Sequence, residues 1–419
     1  MYRNSATQST VRRLNERAVV RFLQGGGDTT RAACAKALGM SQPTAGKIVD
    51  DLIARGIAAE IAAEPESPNS IDVAPRMGRP GQMLRLDQRR PRFVLIQLGV
   101  RKTRIVAAPV GLRPDGSGEE TWEECFPTPS SAGAWRQSLL NSAQRMPRRG
   151  LWGTIVSVPG VVDDSAAKVL FSPNLHWTES ADIRAICREA WRLPTLLVQE
   201  IRALALGHRL AQPEDEDFLL VDFGSGVGAA PVIRGQLYCG ALPLSGELGH
   251  TPVAGNSRRC GCGGIGCLET LVSRKGLLQS FAESVGSPSG QRSWPALTSL
   301  VDEEVLAGPT GNGLRAALDA AAAAIAGALN VLGLERAVIT GSLTEIPAGM
   351  AYLSQAVVRG SMWGRFGQVT CVPAPRRRAL GLVAAAIDRQ LLSDQHASSS
   401  GRVNLDRSSR TSQTGSSHE

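Results

Sequence analysis

Residues 246–269 read G-E-L-G-H-T-P-V-A-G-N-S-R-R-C-G-C-G-G-I-G-C-L-E. His250, Cys260, Cys262 and Cys267 fall inside eighteen residues of that stretch, and one imidazole with three thiolates is the ligand set of a closed tetrahedral Zn²⁺ site. Four protein ligands leave no position for water, so the expected zinc is structural. Gly261, Gly263, Gly264 and Gly266 allow the sharp turns that aim nearby sulfurs at one centre. A disulfide is the competing use of clustered cysteines. Against it, a C-x-C pair bridges poorly, and no leading signal segment is present, so the expected compartment is the cytoplasm. Glu247 and Glu269 frame the knot, and a folded metal loop would hold the two carboxylates near one another, an arrangement suited to a hydroxyl-rich ligand.

Taken together, G-E-x-G-H followed by C-x-C-G-x-x-G-C-L-E resembles the signature of the ROK family (repressors, open reading frames and sugar kinases). The signature is long and specific. In the regulator branch of that family a DNA-binding unit precedes a sugar-kinase-like domain.

At 419 residues, 42% of them hydrophobic, the chain is long enough for about two or three domains. The longest charge-free apolar run, residues 320–334, is shorter than the roughly 18 to 20 residues that span a bilayer and reads as a buried alanine-rich helix, so no membrane partner is expected. Cys34, Cys125, Cys187, Cys239 and Cys371 are scattered, as free thiols are in a reducing compartment. The formal net charge is +8, and residues 1–90 hold 14 Lys and Arg against 9 Asp and Glu. Most of the surplus lies there, which makes nucleic acid the expected partner of that segment.

In residues 11–23, Leu14, Ala18, Val19 and Phe22 recur at helical spacing. Asp28, Thr29 and Thr30 can cap a second helix with Ala32, Ala33, Ala35 and Leu38 inside. Leu38-Gly39-Met40-Ser41 forms a corner, and Ser41 caps a third helix built on Thr44, Ile48, Val49, Leu52 and Ile53. In a helix-turn-helix the second helix of the pair enters the major groove by its first residues. That assigns Ser41, Gln42, Thr44 and Lys47 to double-stranded DNA, with Gln42 suited to adenine and Lys47 to a phosphate. A winged hairpin is expected from residues 57–61 and 82–86. Its tip closes with Arg76-Met77-Gly78-Arg79-Pro80-Gly81, whose Arg76 and Arg79 suit a minor groove. Three helices of this kind also occur as protein binders; the basic charge and the Gly-Arg-Pro tip favour DNA.

From Arg92 strands and helices alternate, which argues an α/β fold. Residues 93–98 and 104–109 read as a hairpin, 135–145 as a helix, 153–158 as a strand, 181–191 as a helix and 195–198 as a strand. Residues 218–223 and 229–233 repeat the hairpin around a glycine loop at 224–228, and 376–392 is a last helix expected to pack on the first half. This duplication is similar to the two-lobed actin-like fold of hexokinases and ROK proteins. The expected division is a winged helix-turn-helix over 1–88, a ROK sugar-kinase-like domain over 89–392, and a Ser-rich disordered tail over 393–419.

The resemblance also implies where a kinase would do its chemistry, and there this sequence departs. The family's first phosphate loop resembles D-x-G-G-T; here it is Gln97-Leu98-Gly99-Val100-Arg101. The family's E-N-D segment, whose Asp is the general base, is Val198-Gln199-Glu200, and the longer side chain displaces the carboxylate from in-line geometry. No catalytic residue is therefore assigned. The sugar side is better kept, and the resemblance implies Asn174, Glu200, Glu247, His250 and Glu269 as sugar contacts. The expected protein is a sugar-responsive DNA-binding regulator, a repressor, acting as a homodimer or dimer of dimers because one recognition helix reads half a site. An active sugar kinase and a DNA binder with an empty cleft remain as alternatives.

Overall fold

The computed structural model describes residues 8–62, 82–113, 122–163, 166–238, 246–284 and 293–391. Three helices lead: α1 (Gln8–Gly26), α2 (Arg31–Ala37) and α3 (Gln42–Ala54). Thr30 caps α2 by accepting from Ala33 N, and Ser41 caps α3 by accepting from Thr44 N at 3.3 Å, so both expected caps form. Gly39 makes the corner at φ +61°, a conformation that glycine adopts without strain. The inner faces differ from the sequence reading. In α2 Cys34 and Ala35 are buried while Ala32 and Ala33 are exposed, and in α3 Ala45 joins Ile48, Val49 and Leu52 inside, with Thr44 outside. In α1 Val19, Val20 and Leu23 are buried and Leu14 is exposed. Small apolar residues mark no phase of their own on a short helix, so the packing partners decide which alanine points inward. β1 (Ala58–Ile61) and β2 (Met83–Leu86) pair antiparallel, and Thr29 bridges to Leu84. The hairpin tip with Arg76 and Arg79 lies outside the described residues, as does the tail over 393–419.

A five-stranded sheet follows. Its members come from β3 (Phe93–Leu98), β4 (Lys102–Ala108), β5 (Glu123–Pro127) and β6 (Gly153–Val158), then, past the small hairpin of β7 (Val161–Asp163) and β8 (Lys168–Phe171), from β9 (Thr195–Gln199), in the order β5-β4-β3-β6-β9. The second sheet comprises β10 (Phe218–Phe223), β11 (Val227–Ile233), β12 (Gln236–Leu237), β13 (Arg336–Gly341) and β14 (Thr370–Pro373), in the order β12-β11-β10-β13-β14. In each sheet the central strand runs antiparallel to its hairpin partner and parallel to the strand on its other side. The repeat suggested by two hairpins in the sequence is thus a repeat of whole sheets.

The helices of these halves are α4 (Ala132–Arg145), α5 (Trp177–Ser180), α6 (Ile183–Trp191), α7 (Glu200–Ala211), α8 (Glu269–Val272), α9 (Arg274–Ser284), α10 (Trp294–Leu300), α11 (Glu303–Ala307), α12 (Asn312–Leu332), α13 (Pro347–Gly360) and α14 (Arg378–Ala386). Trp135, Leu139, Ile183 and Cys187 of α4 and α6 pack on Val94, Ile96 and Ile105 of the first sheet. Leu380, Leu382 and Val383 of α14 pack on Phe93 and Leu95, in one apolar cluster that continues into Val19, Ile48 and Leu84 of the leading unit. α12 is long and apolar enough to cross a membrane by length and hydropathy, yet its Leu314, Leu318, Ala321 and Ile325 lie in the core beside Val221 and Ile339. The last helix begins at Arg378, two residues later than its pattern, because Arg376 and Arg377 link it to β14; it runs on into a π turn, Ile387–Leu391.

α7 is the wall that the two sheets share. Its Ile201, Leu204 and Ala205 pack on Phe218 and Leu220 of the second sheet, whereas Ala203 belongs to the apolar cluster of the first. It crosses α14 backbone to backbone. A Cβ on Gly381 would lie 1.7 Å from the Ala203 carbonyl oxygen, and one on Gly207 would lie 2.0 Å from that of Arg377.

Candidate functional site

Strands β3, β6, β9 and β10 deliver their carboxyl ends to one cleft of about 350 Å³, the place at which open α/β sheets bind ligands. Asn174, Glu200, Glu247, His250 and Glu269 all line it. Glu269, at the start of α8, accepts from Val227 N at 2.9 Å through Oε2. The same carboxylate and the Asn174 amide face Gly226, where a Cβ would lie 2.7 Å from Glu269 Oε2 and 3.8 Å from Asn174 Nδ2. Glu247 accepts from Gln199 Nε2 at 3.3 Å, and its other oxygen lies 3.6 Å from His250 Nε2. Burial pushes the Glu247 carboxyl above the usual carboxylate range, with His250 and Gln199 pulling the other way. Two carboxylates, an amide and an imidazole therefore share one end of the cleft, a mixture of donors and acceptors that matches vicinal hydroxyls.

The metal knot stands directly behind it. His250 Nδ1, Cys260 Sγ, Cys262 Sγ and Cys267 Sγ all lie within 4.8 Å of one another. The pairs Cys260 Sγ to His250 Nδ1 and Cys262 Sγ to Cys267 Sγ are each 3.7 Å apart. A tetrahedron with zinc–sulfur legs of ~2.3 Å has edges of about 3.7 Å, so the donors fit such an ion. The loop is folded by its own backbone: Cys260 N donates to Gly264 O at 2.9 Å, and Gly266, at φ +82°, donates to Arg258 O. Arg258 fastens it to Thr270 O and Glu283, each at 2.7 Å. Because Nδ1 of His250 faces the sulfurs, Nε2 is left facing Glu247, which couples the knot to the cleft.

At the other end the cleft is cationic, and here the structure holds residues that the sequence reading passed over. Asp222, the last polar residue of β10, accepts from Arg376 at 2.6 and 2.9 Å and from Thr340 Oγ1 at 2.7 Å. Arg376 lies between two glycines: a Cβ on Gly224 would be 2.7 Å from its guanidinium, and one on Gly341 2.6 Å. Glu200 accepts from Arg378, so the carboxylate in the general-base position is already engaged. Gln97 is buried at the end of β3 with no hydrogen-bond partner for Nε2 among the described residues. At this end the carboxylates of Asp222 and Glu200 are thus both engaged by arginines. An acid ending an apolar strand before a glycine turn, and an Arg-Arg-Arg run before a helix, were the available signals for Asp222, Arg376 and Arg378.

None of Ser41, Gln42, Thr44 and Lys47 lines the cleft; all four are exposed at the start of α3. Ser41 Oγ and Thr44 Oγ1 lie 2.8 Å apart, so these hydroxyls serve the cap and each other, leaving Gln42 and Lys47 as the outward polar pair. Arg31 braces the base of this helix through Asp50 at 2.6 Å and Glu60 at 2.5 Å.

Comparison with known proteins identifies the family and the fold. The ROK family profile matches residues 124–385. A xylose repressor of Caldicellulosiruptor bescii is 24% identical over 310 residues, covering 71% of this chain and 73% of its own. The DNA-binding transcriptional dual regulator NagC of Escherichia coli K12 is 27% identical over 278 residues, 64% of each. Among solved structures, a ROK family transcriptional regulator described as a homologue of the E. coli MLC protein superposes with a TM-score of 0.67 at 20% identity, over 91% of this chain and 98% of that one. A ROK family glucokinase of Streptomyces griseus, solved with glucose and AMPPNP, gives 0.55 at 19% identity over 70% and 97%. At these identities the likeness to solved structures shows the fold.

Proposed function

Because the chain belongs to the ROK family, we propose that it is a DNA-binding transcriptional regulator, a repressor, whose effector is a sugar or sugar derivative held in the cleft, and that it is not a kinase. The observation that carries this reading is the engagement of Glu200 by Arg378, together with Gln97 at the position of the family's loop acid; both count against phosphoryl transfer, while the hydroxyl-binding end supports a sugar ligand. The repressors among its relatives support the same reading. In it, Gln42 reads a base and Lys47 a phosphate, with Ser41 and Thr44 holding the helix start and Arg76 and Arg79 entering the minor groove. The leading winged unit is taken as 1–88, the sugar-binding body as 89–392 and the tail as 393–419.

His250, Cys260, Cys262 and Cys267 would hold zinc, which supplies a rigid anchor and no reactive water. Asn174, Glu200, Glu247, His250 and Glu269 face the sugar. Two copies place two recognition helices on one palindromic operator, in the cytoplasm and away from membranes. The effector shifts the balance between lobe arrangements and hence the spacing of the two helices.

Two measurements test this. Genomic fragments selected by the full chain with and without sugars should give a discrete operator that one sugar releases. A coupled ADP-release assay over a hexose panel should give no turnover; turnover at an ordinary kinase rate would reverse the reading in favour of the sugar kinase.

A further inference from the structure

The two ends of the cleft meet at a single turn, Gly224-Ser225-Gly226. Gly226 faces the Glu269 carboxylate and the Asn174 amide, while Gly224 faces the Arg376 guanidinium. The Cα atoms of these two glycines are roughly 6 Å apart, about the width of one sugar ring. A ligand seated across the turn therefore meets hydroxyl-binding groups at one side and positive charge at the other.

That charge is larger than the carboxylates around it require. Arg376 and Arg378 are matched by Asp222 and Glu200. Arg101, on the β3–β4 turn, and Lys102, the first residue of β4, line the same wall and have no carboxylate partner among the described residues. The backbone N–H groups of Ser225 and Gly226 likewise have no hydrogen-bond partner among the described residues, and paired N–H groups at a turn favour an anion. Arg274, just behind the turn, is held below the ordinary guanidinium range by burial; Glu345, 3.8 Å away, pulls the other way, and repulsion from Arg101 and Arg376 adds to the lowering. Like charges gathered this closely are stabilised by an anion between them. The loop that resembles D-x-G-G-T in family kinases carries Gln97 and Arg101 instead of the acid and the threonine. A loop suited to a metal-bound nucleotide has become one suited to a ligand that brings its own negative charge.

We propose that the cleft takes a polyhydroxylated ligand with a terminal anionic group, a sugar phosphate or a sugar acid. Its hydroxyls face Asn174, Glu247 and Glu269, and its anion sits between Arg101, Arg376 and the N–H groups of Ser225 and Gly226. The inference rests on the sugar-effector reading above and narrows it to one chemical class.

Calorimetric titration of the full chain with hexose 6-phosphates, hexuronates and the matching free hexoses tests it, alongside Arg101→Thr and Lys102→Gln. Circular dichroism and the unliganded melting temperature report whether each variant is folded. At least one anionic sugar is expected to bind about tenfold or more tighter than its neutral parent, and Arg101→Thr to remove most of that advantage. A best ligand among the phosphates identifies a phosphate seat; a best ligand among the hexuronates identifies a carboxylate seat. Neutral hexoses binding as tightly as their anionic derivatives, or an advantage undiminished in both variants, overturns the anion seat and leaves the sugar reading standing. Binding by no sugar of any kind overturns both.

Discussion

Glu200 accepts a hydrogen bond from the guanidinium of Arg378, and these are the first residues of α7 and α14. One ion pair thus joins the two helices at the end that opens on the cleft. Both side chains are largely buried, so removing one partner strands the other's charge. Arg378→Met is expected to lower the free energy of unfolding by about 1–3 kcal/mol, and Glu200→Gln in the same chain to recover part of it. Denaturant midpoints of the single and double variants measure this; a double variant as impaired as the sum of its parts would deny the pair.

The crossing of α7 and α14 makes a sharper prediction. Gly381→Ala forces a methyl group onto the Ala203 carbonyl oxygen, and the helices must part to admit it. The loss should be about 3 kcal/mol or more, seen as a fall in melting temperature and soluble yield. Gly327, on α12, has nothing within 4 Å of its Cβ position. Gly327→Ala should therefore be stabilising by up to about 1 kcal/mol, and is the control.

Purified under reducing conditions, the chain should carry zinc in equimolar amount by elemental analysis, and Cys262→Ser should carry little. Its melting temperature should fall with the metal, since the ligand loop also ties down Thr270 and Glu283 through Arg258. Retention of full zinc content in Cys262→Ser would remove that cysteine from the ligand set.

Stability should depend on pH through His208, which is 4% exposed and lies 2.9 Å from Asp215 Oδ2. Burial lowers its pKa from 6.5, and Asp215 only partly offsets this. The unfolded chain therefore binds a proton at pH values where the folded chain does not. Stability is fully present above about 6.5 and declines as pH falls below it. Melting curves taken from about pH 7 to pH 5 should fall more steeply for the wild type than for His208→Gln; parallel curves would assign the dependence elsewhere.

On operator DNA, Gln42→Ala should lose about 1–3 kcal/mol of discrimination at one base pair, whereas Lys47→Ala should weaken all sequences alike and lower the salt slope by about 1. Binding assays at several salt concentrations separate the two. Unchanged affinity in both variants would shift the reading face away from the start of α3.

The sequence was most legible where chemistry is written in residue type. The glycine-spaced cysteines with His250 declared a ligand cluster before any strand was placed, and Ser41 and Thr30 marked helix starts correctly because a cap is a local hydrogen bond. The hairpins at 93 and 218 revealed the repeat because apolar strands buried on both faces have few competing readings. Legibility failed where a residue's role depends on a distant partner. Arg376 and Arg378 read as the opening of a helix, and nothing local says that one reaches Asp222 and the other Glu200. Alanines in α2 and α3 carry no preferred face, so Ala32 and Ala33 were placed inside and Ala45 was passed over, and only packing could correct both.

Gly207 and Gly381 leave no cushion of side chains between α7 and α14. The two cannot slide past one another by repacking, and α7 is about 18 Å long at 1.5 Å per residue. One end of this strut carries Glu200 in the cleft; just past the other, a Cβ on Gly25 of α1 would lie 3.4 Å from Pro213. In the regulator proposed above, a displacement at the pocket would be carried along α7 to α1 as by a stiff rod rather than through a chain of yielding contacts.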